Sequence, residues 1–340
     1  MTPSSPPTPS PAPIVAIGAL GGTIAMTPAQ PGEPVSPGLN AADLVAAVPE
    51  LAQIAQIRAS SIRNVASPAI VVDDVLAALS FAHESAEGGA AGVVLTHGTD
   101  TLEETAYLLD LLWGRDEPII LTGALRAPTL PGADGPANVL SAVVTAADPD
   151  ARGLGVLTVL DDSAHLARLV SKTDASGVWT FQSPGWGPVG RVHEQRLRMM
   201  LRPLRRFEPL PVPAVGEIRI PLVESPFDDD AAWVGPLAAG SPRGIVVNGS
   251  GVGHLSERTA DALEEALAGG TPVVIASRSG SGTTLERTYG YPGAEVDLIR
   301  RGFVMGGYLS GRKCRLLLHV LLADGAGPER IREEFAARGF

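Results

Sequence analysis

One stretch constrains the fold more than any other: Gly92-Val93-Val94-Leu95-Thr96-His97-Gly98-Thr99-Asp100-Thr101-Leu102-Glu103-Glu104-Thr105-Ala106. Its apolar, β-branched opening predicts a buried strand. The run breaks at Gly98 into hydroxyl and acid residues. From Asp100 it turns helical, with Asp or Thr as cap and Glu103 and Glu104 in the first turn. Ala106, Tyr107, Leu108, Leu109, Leu111 and Leu112 then follow at near-helical spacing. A strand that delivers Gly-Thr-Asp to a helix N-terminus puts polar groups at the carboxyl edge of a sheet, where open α/β folds bind ligands.

The same unit recurs. An apolar run at 14–19 meets Gly21-Gly22-Thr23-Ile24-Ala25. A strand is expected at 54–62, then the turn Asn64-Val65-Ala66-Ser67-Pro68 and a helix over 71–86. Residues 118–121 lead into Thr122-Gly123-Ala124-Leu125-Arg126, and residues 153–160 end at Asp161-Asp162. Repeated strand, turn and helix predict an α/β fold whose larger N-terminal domain is a doubly wound, mostly parallel sheet. That domain is expected over 14–201, after a disordered tail at 1–13. A Pro- and Arg-rich linker over 202–215 leads to a smaller C-terminal α/β domain, 216–340, with strands at 217–221, 244–247 and 273–276. Helices are expected there at 229–238, 256–268, 313–322 and 328–337. Residues 26–40 are rich in Pro and Gly, lack periodicity, and read as a lid-sized mobile loop.

Composition narrows the chemistry. The 340 residues carry a formal charge of −11, which argues against a nucleic-acid partner. No apolar run approaches the ~18 residues of a membrane span. The tail has neither a charged n-region nor an apolar h-region, and one cysteine, Cys314, allows no internal disulfide; both point to the cytoplasm. The six histidines are scattered without metal-ligand spacing. No P-loop, dinucleotide fingerprint or Gly-x-Ser-x-Gly elbow is present. Of the 26 basic residues only Lys172 and Lys313 are lysines. Arginine keeps its proton in a protein and lysine does not have to. Hydroxyls at several strand ends, one aspartate and a retained lysine suggest nucleophilic threonine chemistry.

Gly21-Gly22-Thr23-Ile24-Ala25 and His97-Gly98-Thr99-Asp100-Thr101-Leu102-Glu103-Glu104-Thr105-Ala106, about 75 residues apart, resemble the two signatures of the bacterial-type L-asparaginase family. The likeness continues through Thr122-Gly123-Ala124-Leu125-Arg126, Ala133-Asp134-Gly135-Pro136-Ala137-Asn138 and Lys172-Thr173. The resemblance implies hydrolysis of L-asparagine, with L-glutamine as a side substrate, through a threonine acyl-enzyme and without metal or organic cofactor. It implies that Thr23 is the nucleophile and that Thr99 and Lys172 relay protons. Asp100 would bind the substrate ammonium. Ser67, with backbone near Ala66 and Gly98, would bind the carboxylate, and the Ala124 carbonyl would hold the leaving amide. It further implies that Glu295 enters from a neighbouring subunit of a homo-oligomer, a dimer of dimers with sites at subunit interfaces.

Two departures bear on efficiency. The family's lid carries a tyrosine, whereas no aromatic residue lies between Thr23 and Asp43. Tyr289 or Tyr291, close in sequence to Glu295, is the expected replacement. Pro68 stands where the family often has a substrate-touching glutamine, and proline offers neither a side-chain donor nor a backbone N–H. The alternatives are a relative acting on another amide and a catalytically weak amino-acid-binding protein.

Overall fold

A computed structural model describes residues 12–28, 35–37, 40–204, 206–213 and 218–340. The tail at 1–11, and 29–34 and 38–39 of the expected lid, lie outside the described residues. The larger sheet has eight strands. In spatial order they are Arg196–Met199, Gly190–His193, Ser163–Leu166, Val156–Leu160, Ile119–Thr122, Gly92–Thr96, Ile14–Gly21 and Gln56–Val65.

The last five are parallel. Numbered along the chain, they lie in the order 2-1-3-4-5, with the first strand between the second and the third. Connections therefore leave in opposite directions from the first and third strands. The crevice at the carboxyl ends of Ile14–Gly21 and Gly92–Thr96 is the topological switch point, where such sheets bind ligands. Thr23 and Thr99 both lie there.

Four of these strands, all but the exposed edge strand Gln56–Val65, are buried and mainly apolar on both faces because helices cover both. On one face Val72–Glu87 and Leu102–Leu112 bury Leu79, Leu102, Leu108 and Leu109 with Val93 and Leu95 of the sheet. On the other, Gly135–Ala147 buries Val139, Ala142 and Val143 with Ile17, Val94 and Ile120. Successive strand residues point to opposite faces, so each strand feeds both clusters.

The sheet also extends beyond what the sequence pattern predicts. Ser163–Leu166, Gly190–His193 and Arg196–Met199 add three antiparallel strands. Each is only four residues long, too short to show a period. A second sheet, all parallel, holds Leu222–Glu224, Ile245–Gly249, Val273–Ser277 and Val304–Met305 in chain order. Its first strand starts beyond the expected 217–221, since Pro221 has no N–H to donate to a ladder. Helix Glu295–Arg301 lies inside a stretch the sequence marks only as Gly- and Pro-rich.

Within the expected linker, residues 206–210 are pinned. Arg206 donates to the carbonyls of Trp113 and Arg115, and the Leu210 N–H to Leu111 at 2.7 Å. Phe207 lies between the guanidinium groups of Arg168 and Arg338, 5.4 and 5.2 Å from its ring centre. No helix among the described residues is long and apolar enough to cross a membrane.

Candidate active site

The site is built by three turns that close on one another. The Ile14–Gly21 strand ends in Gly22, at φ +91°, and a 3-10 turn, Thr23–Ala25. A Cβ on Gly22 would lie 2.3 Å from the backbone nitrogen of Gly98. Only glycine allows both that dihedral and that approach. A Cβ on Gly98 would in turn meet the Ser67 hydroxyl at 2.7 Å. Close approach at these two glycines thus brings Thr23, Ser67 and the 98–100 turn together, although they are far apart in the chain.

Ser67 is buried and ties to the second signature. Its hydroxyl accepts the Asp100 N–H at 3.3 Å, and its carbonyl accepts the Thr101 hydroxyl at 2.8 Å. Ala66 caps the short Ser67–Ala69 turn, with Pro68 inside it, where a missing N–H is tolerated.

Lys172 reaches the same place from the other side. It lies on Ser171–Lys172, which pairs with Phe181–Gln182. Its Nζ donates to Thr99 Oγ1 at 3.1 Å and to Asp100 Oδ1 at 2.8 Å. The Lys172 side chain is 14% exposed, whereas that of Asp100 is 61% exposed. The amine is therefore largely sheltered and the carboxylate largely exposed. A hydroxyl within hydrogen-bond reach of an amine, which a carboxylate orients, is the arrangement that moves a proton on and off a nucleophile. Among the described residues no hydrogen bond reaches the Thr23 hydroxyl.

Several supporting residues act only through the fold. His97 is fully buried, and burial holds its pKa below the usual value, so the ring is neutral. Its Nδ1–H donates to the Gly98 carbonyl at 2.6 Å, which leaves Nε2 to accept the Thr105 hydroxyl at 3.0 Å. Glu103 looks in the sequence like an ordinary first-turn acid. Its side chain is buried, and Oε2 accepts the Lys172 backbone N–H at 2.7 Å. Asp134 accepts the N–H groups of Leu125 and Arg126, and Asn138 donates to the Gly123 carbonyl at 3.0 Å. These bonds fix the backbone on both sides of Ala124, which is itself fully buried. Composition gives no sign of these roles; the likeness of 97–106 and 133–138 to the family pattern covers these residues without giving their contacts.

Glu295 lies apart from these turns in the sequence. It starts a helix in the smaller sheet's half of the chain and is 0% exposed. Oε1 accepts the N–H groups of Thr288 and Tyr289 at 2.7 and 2.6 Å, and Oε2 meets His254 Nε2 at 2.9 Å. Burial raises its pKa, but the Tyr289 N–H, His254 and the Thr288 N–H outweigh it and hold the carboxyl below the ordinary glutamate range. Within one chain the carboxylate is thus fully enclosed by its own partners. What faces outward is Tyr289 and Tyr291, with the Tyr291 hydroxyl 2.7 Å from His254 Nδ1. Tyr291 and His254 border a cleft of about 770 Å³ that also includes Asp228, Asp229 and Ser256. Among the described residues no His, Cys, Asp and Glu side chains cluster as a metal site.

Comparison with known proteins places the whole chain. The family description "Asparaginase, N-terminal" matches residues 14–205, and "Glutaminase/Asparaginase C-terminal domain" matches 219–335. This chain belongs to the asparaginase family. L-asparaginase 2 of Escherichia coli is 36% identical over 297 residues, covering 86% of this chain and 83% of that protein. A glutaminase-asparaginase of Pseudomonas fluorescens is 32% identical over 331 residues, covering 94% and 89%. Among solved structures, one named "Probable Cytoplasmic L-asparaginase from Campylobacter jejuni" superposes with a TM-score of 0.87 at 31% identity. It covers 95% of this chain and 99% of its own. In this chain the larger sheet, within the 14–205 match, carries both Thr23 and Thr99 at its switch-point crevice.

Proposed function

We propose that this chain hydrolyses L-asparagine to L-aspartate and ammonia through a threonine acyl-enzyme, with L-glutamine as a slower substrate. The observation that carries the reading is the Thr99–Lys172–Asp100 cluster, set against the Thr23 turn by the Gly22–Gly98 contact. Thr23 Oγ1 attacks the side-chain amide carbon. Its proton passes through Thr99 and Lys172 to the amide nitrogen, the C–N bond breaks and ammonia leaves. Water then cleaves the ester. Asp100 holds the substrate ammonium, and Ser67 with the backbone of Ala66 and Gly98 holds its carboxylate. The Ala124 carbonyl accepts from the leaving amide, and N–H groups beside Thr23 and Thr99 receive the oxyanion. No metal ion or organic cofactor takes part.

The active unit in this reading is a homo-oligomer, a dimer of dimers, in which a second copy closes the crevice with residues near 289–295. The buried Glu295 then acts through His254, and the Tyr291 hydroxyl replaces the lid tyrosine. Glu295 holds His254 Nε2–H, so Nδ1 is left to accept the phenolic proton. Residues 14–201 form the catalytic domain, 202–215 the linker and 216–340 the domain that serves the neighbour. The cytoplasm is its compartment, in keeping with the name of the Campylobacter relative and a lone, buried cysteine.

The test is ammonia release from L-asparagine, L-glutamine and D-asparagine. Turnover is expected on L-asparagine first, with Thr23→Ala and Lys172→Met each lower by roughly a thousand-fold or more. Asparagine binding without ammonia release would replace the enzyme with an amino-acid-binding protein, the reading that the missing lid tyrosine favours.

A further inference from the structure

The first turn of helix Gly311–Ala323 belongs to the smaller sheet's half of the chain, yet its side chains end against the larger half. Lys313 is 2% exposed, and its Nζ donates to the carbonyls of Arg168 at 2.9 Å and Val170 at 2.5 Å. Beside it, Arg312 Nε lies 2.7 Å from Glu103 Oε1, an ion pair without hydrogen-bond alignment. The other oxygen of that carboxylate is the one that accepts the Lys172 N–H. Two adjacent cations of one helix therefore hold the chain just ahead of Lys172 and the carboxylate that grips Lys172 itself. The Lys313 ammonium also lies 5.9 Å from the ring centre of Tyr107, one turn beyond Glu103 on its helix.

Packing does not account for an ammonium in that place. Removing a lysine from water is unfavourable by several kcal/mol, and an apolar side chain of similar volume avoids this. Burial draws the Lys313 pKa down to about 8, and no carboxylate lies within ion-pair distance of its Nζ among the described residues. Its bonds go instead to two carbonyls of the segment that leads to Lys172, which the buried side chains of Ala167 and Val170 and the bond from the Val170 N–H to the Leu166 carbonyl also hold. The strand carrying Lys172 is two residues long and pairs only with another of two.

We propose that Arg312 and Lys313 are positioning residues for Lys172. The C-terminal helix sets the position of the 168–172 backbone, so that Lys172 Nζ reaches Thr99 and Asp100 together. Neither residue touches the substrate; both act through the backbone and through Glu103. The proposal rests on the reading that Lys172 is catalytic.

The test is steady-state kinetics of the full chain on L-asparagine, with thermal melting alongside, for Lys172→Met, Lys313→Met, Arg312→Gln and Arg312→Lys. Displacing a catalytic group by about 1 Å typically costs on the order of 100-fold in rate. Lys313→Met is therefore expected to lower kcat by about 10- to 100-fold while KM stays within about 3-fold. Arg312→Gln is expected to lower kcat by about 3- to 10-fold, with Arg312→Lys recovering most of it. If Lys172→Met keeps full turnover, the catalytic reading fails and the proposal with it. If Lys172→Met is inactive while Lys313→Met and Arg312→Gln keep wild-type kcat, the proposal alone is overturned and the helix only packs. Should Lys313→Met not fold, Arg312→Gln decides, because that side chain is 48% exposed and its loss leaves no buried hole. A drop that Arg312→Lys does not recover belongs to something other than the ion pair and also overturns the proposal.

Discussion

At the scale of single residues, the buried imidazoles tie stability to pH. Burial lowers the pKa of His97 and His319, and brings that of His165 down to about 4. Each is neutral in the folded chain and titrates near 6.5 when unfolded. The unfolded chain thus binds more protons as pH falls, so this stability is fully present above about pH 6.5 and is lost toward the folded pKa. Two raised carboxyls, Asp110 and Glu104, act in the opposite direction. A comparison of His165→Gln with the wild type isolates the histidine. Between pH 6.5 and 4.5, unfolding in urea is expected to show the wild type losing about 1.4 kcal/mol per pH unit more than the variant. Parallel pH dependences of the two would refute this account of His165.

At the scale of elements, the turns matter more than the strands. Gly22→Ala would force a left-handed dihedral on alanine and place a Cβ against Gly98. A loss of about 2–4 kcal/mol is expected, together with most of the turnover, since the two signatures separate. Unchanged melting and activity would show that the contact is dispensable. Asn138→Ala removes the bonds to the Gly123 carbonyl and from the Asp161 N–H. It is expected to cost about 2–3 kcal/mol in chemical denaturation and to raise KM, because the Ala124 backbone is freed. The strand–turn–helix units were legible because the information is local: an apolar run, a glycine, a hydroxyl, a cap. Both threonine turns and Lys172 could be read in this way, the lysine from its rarity. The antiparallel extension was not legible, since four-residue strands carry no period. Glu103 falls in the second signature and at a helix start, but its contacts were not legible, because its partners lie 69 residues downstream at Lys172 and farther on at Arg312. The enclosure of Glu295 depends on backbone N–H groups, which leave no mark in a sequence.

At the scale of the molecule, the reading makes each site depend on two copies, and mixing tests this. Thr23→Ala lacks the nucleophile and Tyr291→Phe lacks the hydroxyl beside His254. If a second copy supplies Tyr291, a mixed assembly rebuilds one intact site from the two variants, and activity is expected to rise well above that of either alone. Activity no greater than the average of the separate variants would place Tyr291 outside the neighbour's site. The two halves within one chain are, by contrast, firmly joined. Arg206, Phe207 and Leu210 fasten the connection to the larger half, and Arg338 on the last helix holds the Glu208 carbonyl at 2.7 Å.

The scarcity of lysine has a practical consequence for labelling. A reagent that acylates side-chain amines finds only two in the sequence, Lys172 and Lys313. The second is sealed inside the protein, and the first is only partly sheltered, next to Asp100. Covalent tagging through lysine would therefore modify the proposed proton carrier before any decorative position. A fluorophore or surface anchor is better attached at a cysteine introduced elsewhere, because the native Cys314 is buried as well.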